Sequence, residues 1–443
     1  MVIGRATREE PGDREAVVDE IRTATEPVST ADDLDRLLDR VGDRRYVLLG
    51  EASHGTSEFY RWRARLTARL VREHGYDFVA VEGDWPDCYA INRHVKGLSG
   101  SGESVREVLD SFDRWPTWMW ANWEVLAFLE WLTAHNERRP EGERVGFYGL
   151  DVYSLYESME AVVEYLEDVD PAAAEDARAA YRCFEPYGED AREYARALRM
   201  VPESCEDEVV DVLARLREGA GERGDHRDDR FDAEQNALVA RNAEEYYRAM
   251  VSGHEDSWNV RDRHMVETLD RLREHHGADA RGIVWAHNTH VGDARATDME
   301  RAGRLNIGQL ARERHGADET ALVGFGSYEG SVIAADAWGS PMEEMSVPEA
   351  RRGSHEELFH RAGARNRLLL SDDLAADTAL AESRGHRAIG VVYHPDREAA
   401  NYVPTVLPDR YDAFVHLDET RALHPLHTHA DRETVPELYP TGL

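Results

Sequence analysis

"RYVLLGEASHGTSEF", residues 45–59, opens on an apolar run and then sets Glu51, Ser53 and His54 together ahead of a stretch with helical spacing. Tyr46 to Leu49 lack the polar alternation of a half-solvated strand, so this strand needs cover on both faces. The same pattern recurs. "FVAV" (78–81) runs into Glu82, "VGFYGL" (145–150) into Asp151, and "GIVWA" (282–286) into His287. Runs at 321–327, 388–393 and 413–417 read as further strands, the last two followed by His394 and Asp418. Helical patterns at 57–74 and 123–138 alternate with them, which predicts an α/β fold with a mainly parallel central sheet flanked by helices. Ligands in such sheets bind beyond the carboxyl ends of the strands, so the ionisable residues that close these runs are expected to converge.

A capped helix is predicted from about Ala31, with Thr30 as N-cap, Leu34, Leu37, Leu38 and Val41 as one stripe and Gly42 as its stop. Strand-like runs vanish between Asp151 and Gly282, where helical patterns cover 155–168, 172–198, 206–218, 232–251 and 260–276. The expected organisation is an α/β catalytic core from 1–151 and 282–443, interrupted by a cap-like helical insertion over 152–281. Within it, 217–230 reads as an exposed linker.

The 443 residues carry 88 acidic against 53 basic side chains, a net charge of −35, and Lys96 is the single lysine. An acidic excess spread along the whole chain reads as a surface adapted to a salty cytoplasm; a cationic partner is the alternative. No basic stripe exists to neutralise phosphates, which argues against nucleic-acid binding. No window approaches the roughly 18 uncharged apolar residues of a membrane span, and the first twenty residues hold no apolar signal core. The expectation is a soluble, cytoplasmic, halophilic protein. Cys88, Cys183 and Cys205 are odd in number and lack a CxxC pair, so neither a disulfide framework nor a zinc knuckle is predicted.

Glu51 and His54 sit three apart across a strand-to-helix turn. The helix N-terminus disfavours an imidazolium and Glu51 favours it; capping turn amides is the plain structural alternative for both residues. Arg63 and Arg65 follow within three turns and can reach back as carboxylate partner or oxyanion donor, or be solvated. Glu82 leaves its strand at a Gly83 turn, with Asp84 as the competing carboxylate. His287 and His290, three apart on leaving a strand, suit either shared metal ligation or base and proton donor around one water. HExxH, HxxEH, GxSxG and phosphate-cradling loops are all absent, and "GLSGSGES" (97–104) reads as a surface loop. Trp115, Trp118, Trp120, Trp123 and Trp131 read as core, some of them walling an apolar pocket near Pro116.

These residues lie in "LLGEASHGTSEFYRWRARLTARLV", "VAVEGDWPDCYAINRHV", "WPTWMWANWEVLAFLEWL", "GFYGLDVYSL", "SWNVRDRHMVETLDRL", "VWAHNTHVGDARAT" and "RYDAFVHLDETRALHPL". Together these stretches resemble the erythromycin esterase family over nearly the whole chain. The resemblance implies hydrolysis of a carboxylic ester, the macrolactone of a macrolide antibiotic in the named members, by water attack without a metal or cofactor. It carries the functional roles onto Glu51 and His54, Arg63, Glu82, His287 and His290. The expected mechanism has His54, oriented by Glu51, deprotonating a water held between Glu51 and Glu82. Arg63 with His287 or His290 stabilises the oxyanion, and one of those histidines protonates the alkoxide. The partner expected is a small-molecule ester or lactone. Two alternatives stand beside it: a divalent-metal hydrolase built from Glu51, His54, Glu82, His287 and His290, and a noncatalytic binder of apolar or porphyrin-like molecules.

Overall fold

Eleven strands are present among the described residues: β1 (Thr25–Pro27), β2 (Tyr46–Leu49), β3 (Phe78–Val81), β4 (Gly146–Gly149), β5 (Gly282–Trp285), β6 (Thr320–Ala335), β7 (Met342–Val347), β8 (Arg367–Leu370), β9 (Arg384–Arg387), β10 (Tyr402–Thr405) and β11 (Ala413–Thr420). The computed structural model describes residues 11–98, 104–187, 205–218, 227–252 and 256–427, with Tyr194 and Ala197. Most of the loop expected at 97–104, of the linker at 217–230 and of the second half of the helix expected over 172–198 lies outside those residues.

The sheet runs β1-β8-β11-β6-β2-β5-β3-β4, with β7 paired to β6; β9 and β10 form a separate pair. From β11 to β4 every neighbouring pair is parallel. The antiparallel pairs β1–β8, β8–β11 and β6–β7 lie toward the other side. Because side chains alternate along a strand, each short run supplies both faces. Val47, Leu49, Val79, Val81 and Ile283 enter one apolar cluster; Tyr46, Leu48, Phe78, Ala80 and Val284 enter another. The continuous hydrophobicity of these runs is thus accounted for by burial on two sides.

The helix Ser57–His74 presents Phe59, Trp62, Leu66 and Leu70, spaced three or four apart, to the first face, and Gly75 ends it at φ 69°. The helix Trp123–Asn136 covers the same face. Met265, Val266, Leu269 and Leu272 of the helix Ser257–His276 cover the second. Between β4 and β5 the elements formed by the described residues are all helices, and Leu155–Val169, Pro171–Tyr181, Glu206–Glu218 and Arg227–Ser252 share a separate apolar cluster.

Three expectations are corrected. The run at 388–393 is not a sheet strand: it makes isolated bridges from Ile389 to Ser53 and from Val392 to Ala335. Cys183 and Cys205 are joined in a disulfide, which leaves Cys88 free and buried; an odd cysteine count does not forbid one pair. The segment from Ala31 begins as a 3₁₀ turn, Ala31–Leu34, and only then continues as the helix Asp35–Val41.

Candidate active site

Register brings the site together. Leu49 lies opposite Trp285, Trp285 opposite Val81, and Val81 opposite Gly149, so four strands end in one row. The chain beyond each end stays tied to its neighbour: Glu82 N donates to Trp285 O (2.9 Å), Asn288 N to Glu51 O (2.8 Å), and Asp151 N to Gly83 O (3.0 Å). Glu51, Glu82, Asp151 and His287 therefore emerge along one edge.

Glu51 Oε1 meets His54 Nδ1 at 2.9 Å, and Glu51 Oε2 accepts from Arg63 Nη2 at 2.6 Å. Arg63 is fully buried, its guanidinium 4.5 Å from the Tyr60 ring centroid and 5.1 Å from that of Trp285. With Nδ1 anchored, the His54 ring turns Nε2 toward the cavity that His54 lines. Burial alone would lower the His54 pKa; its bond to Glu51 and the charges of Glu82 and Glu51 outweigh that and raise it above 6.5. The carboxylates thus win over burial and the charge of Arg261.

Glu82 is held between two strand ends. Its Oε2 accepts from the His287 backbone N–H (2.7 Å) and its Oε1 from Arg261 Nη2 (2.7 Å). Burial pushes Glu82 up, but the charges of Arg261 and His54 and the bond from the His287 backbone N–H hold it well below the ordinary carboxylate range. Arg261, from the helix Ser257–His276, also binds Asp151 in a fork, Nε to Oδ1 at 2.9 Å and Nη2 to Oδ2 at 2.7 Å. Its Nη1 donates to His290 Nε2 at 3.0 Å, which makes Nε2 an acceptor and puts the His290 proton on Nδ1, against Asp262 at 2.9 Å. Trp258 stacks on His290 with ring centroids 4.4 Å apart. Of the five N–H groups on Arg261 these bonds use four, and one on Nη1 is left for a ligand.

The His287 ring lies 4.9 Å from that of His54. Its Nδ1 accepts from the Thr289 backbone N–H at 3.3 Å and lies 2.8 Å from Thr289 Oγ1. Burial, then the positive charge of His54, hold His287 well below 6.5; the Ala52 carbonyl works the other way. The neutral ring consequently carries its proton on Nε2, which has no hydrogen-bond partner of good geometry. His54, Glu82, Asp151, Arg261, His287 and His290 all line one cavity of about 240 Å³. Its apolar wall includes Trp115, Trp120, Trp258 and Trp338, with Val391 and Val392 from the run that forms no strand.

The erythromycin esterase family model matches residues 71–420. The chain belongs to the erythromycin esterase family. It is 21% identical over 372 residues to erythromycin esterase type II of Escherichia coli, spanning 79% of this chain and 86% of that one. Its fold is similar to that of a succinoglycan biosynthesis protein (TM-score 0.77, 20% identity, 94% of this chain and 100% of that one). It is also similar to an erythromycin esterase mutant in its open conformation (TM-score 0.64, 19% identity, 89% and 95%). Membership suggests an ester hydrolase.

In this esterase-family fold, five of the six expected site residues come together: Glu51, His54, Glu82, His287 and His290. The sixth, Arg63, takes the carboxylate-partner role expected as one of two, and not that of oxyanion donor. It stands behind Glu51, away from the cavity, because its one side-chain hydrogen bond spends it on the carboxylate that orients His54. Glu51 is likewise turned to His54 and Arg63, one on each oxygen, and does not line the cavity. Arg261, Asp262 and Thr289 were not singled out from the sequence. Arg261 and Asp262 fall inside "SWNVRDRHMVETLDRL", where an Arg-Asp pair on an amphipathic helix reads as solvated surface. Trp115 and Trp120 reach the cavity, Trp118 is core, and Trp123 is 53% exposed. Among the described residues no group of three or more His, Cys, Asp or Glu side chains is arranged to hold a metal ion.

Proposed function

We propose that this family member hydrolyses a carboxylic ester or lactone by metal-independent water attack, with His54 as general base. The observation that carries the reading is the relay Arg63–Glu51–His54, which fixes one ring nitrogen and frees the other toward a cavity shared with His287. Glu51 and Arg63 position His54; Glu82 positions Arg261 and the His287 backbone. A water deprotonated by His54 attacks the carbonyl carbon, and the oxyanion is received by the remaining Nη1 proton of Arg261 and by His287 Nε2–H. Base catalysis typically contributes 10²–10⁴-fold and an oxyanion donor about 10²–10³-fold, so the two act together on the barrier.

Residues 152–281 act in this reading as a cap on the α/β core of 1–151 and 282–443, with the helix Ser257–His276 carrying Arg261 into the centre. The Escherichia coli relative is named an erythromycin esterase, so macrolide lactones head the substrates to try, and antibiotic resistance is the corresponding physiological role. The protein is proposed to be soluble and cytoplasmic; among the described residues no helix is long and apolar enough to cross a membrane. Paired guanidinium groups on Glu51 and Glu82 favour the metal-free reading over a divalent-metal centre, since a dication would compete with Arg63 and Arg261 for the same oxygens.

The test is a product-resolved mass spectrometric assay across macrolides, simple lactones and acylated sugars. Gain of one water by a substrate, lost in His54→Ala with folding retained, is the expected result. Most activity surviving in that variant removes His54 as base; activity abolished by a chelator and restored by a divalent ion transfers the reading to a metal hydrolase.

A further inference from the structure

Asp84 stands two residues beyond Glu82, at the head of the helix Trp85–Val95, and lines the same cavity as His54 and His287. Its Oδ2 faces Arg114 Nε at 3.2 Å, while its Oδ1, shielded from bulk solvent, has no hydrogen-bond partner. A leaving alkoxide needs a proton, and the two histidines expected to provide it are committed elsewhere. His290 accepts at Nε2 from Arg261 and spends its Nδ1 proton on Asp262. His287 holds a single proton on a neutral ring, which makes a good hydrogen-bond donor but a far weaker acid than a carboxylic acid. His54 serves only if one nitrogen faces both the attacking and the departing oxygen.

We propose that Asp84 is the general acid of this centre, handing its carboxyl proton to the alkoxide as the tetrahedral intermediate collapses. The proposal rests on the ester-hydrolase reading above. In the first step water loses a proton to His54 and its oxygen bonds to the carbonyl carbon. In the second, the carbon–alkoxide bond breaks, the electron pair goes to the alkoxide oxygen, and that oxygen takes the proton of Asp84. Carboxylic acid and alcohol leave; His54 is left protonated and Asp84 ionised, and solvent returns a proton from one to the other. The groups facing Asp84 suit this part. Burial is the largest influence and raises it well above the carboxylate range; Arg114 opposes, and Asp151, Asp87 and Glu157 add to the rise. Asp87, one turn further along the helix, is itself raised to about 6. A carboxyl kept neutral by its surroundings is one established route to an acid that works at neutral pH.

The experiment compares two esters of one acid, an aryl ester whose phenolate departs unprotonated and an alkyl ester whose alkoxide does not, in the unaltered enzyme and in Asp84→Asn. Asn is as good an N-cap as Asp, and Asp84 makes no side-chain cap bond, so the helix start is preserved. The alkyl-ester kcat is expected to fall about 10²–10³-fold and the aryl-ester kcat to change less than about 3-fold, that retained turnover being the proof of folding. Asp84→Glu is expected to recover part of the alkyl-ester rate. In the unaltered enzyme the alkyl-ester kcat falls at high pH, as Asp84 ionises, and the aryl-ester kcat does not. An equal loss on both esters, no loss on either, or a loss confined to esters carrying an ammonium group overturns the proposal, the last in favour of substrate recognition. Failure of the unaltered enzyme to cleave either ester sinks the hydrolase reading itself and this proposal with it.

Discussion

His54 depends on one hydrogen bond. Glu51 supplies it, and the excess of carboxylates around the ring raises the imidazole above 6.5. A base works only when neutral, so activity is expected to be low in mildly acidic buffer and to rise with pH through an inflection above 6.5, read from a pH–kcat/KM profile. The same shift acts on stability in the opposite sense: the folded state favours the imidazolium, so its contribution is full below 6.5 and is lost as pH rises through the raised value. Glu51→Gln tests the relay. It strips the fully buried Arg63 of its carboxylate, a change that costs about 3–5 kcal/mol for a buried pair, and it moves the activity inflection to lower pH. Denaturant unfolding and the pH profile read the two effects separately. Glu51, Glu82 and His287 were legible because each directly follows an apolar run, and His54 and His290 because each lies three residues beyond such a strand-end group. Arg261 was not, because a helical arginine becomes a site residue only when the helix is docked.

At the scale of elements, the turn after β2 leaves no room for a side chain at Gly55. A Cβ there would meet the Ile333 carbonyl oxygen at 1.8 Å, and Gly55 O accepts from Ile333 N (2.9 Å) and Leu423 N (3.0 Å). Gly55→Ala is expected to cost about 1–3 kcal/mol and to displace His54, lowering kcat; urea unfolding beside a rate measurement checks both. An unchanged midpoint with full activity would contradict the close approach of β6. The strand–helix alternation of the core was legible from periodicity, since β2 to β5 are buried on both faces. The run at 388–393 was misread for a physical reason: it is apolar because it walls the cavity and bridges two elements, and local composition does not separate a lining from a strand. The Cys183–Cys205 pair was hidden too, because pairing depends on how helices fold back on one another.

Across the whole molecule the net charge of −35 is spread over a surface whose self-repulsion falls as salt screens it. Raising potassium chloride from about 0.1 M, where the Debye length is roughly 10 Å, to about 1 M, where it is roughly 3 Å, is expected to raise the thermal midpoint. A flat or falling midpoint in differential scanning fluorimetry would deny the acidic surface that role.

Sequence by itself determined where the core strands lie, that both their faces are buried, and which acids and imidazoles stand at their ends, because these are properties of neighbouring residues. Tertiary structure alone decided the strand order, the disulfide, the walls of the cavity and the arrival of Arg261, whose partners Glu82 and Asp151 are 179 and 110 positions away. Such contacts are chosen by packing between distant segments, and no local pattern in the chain encodes them.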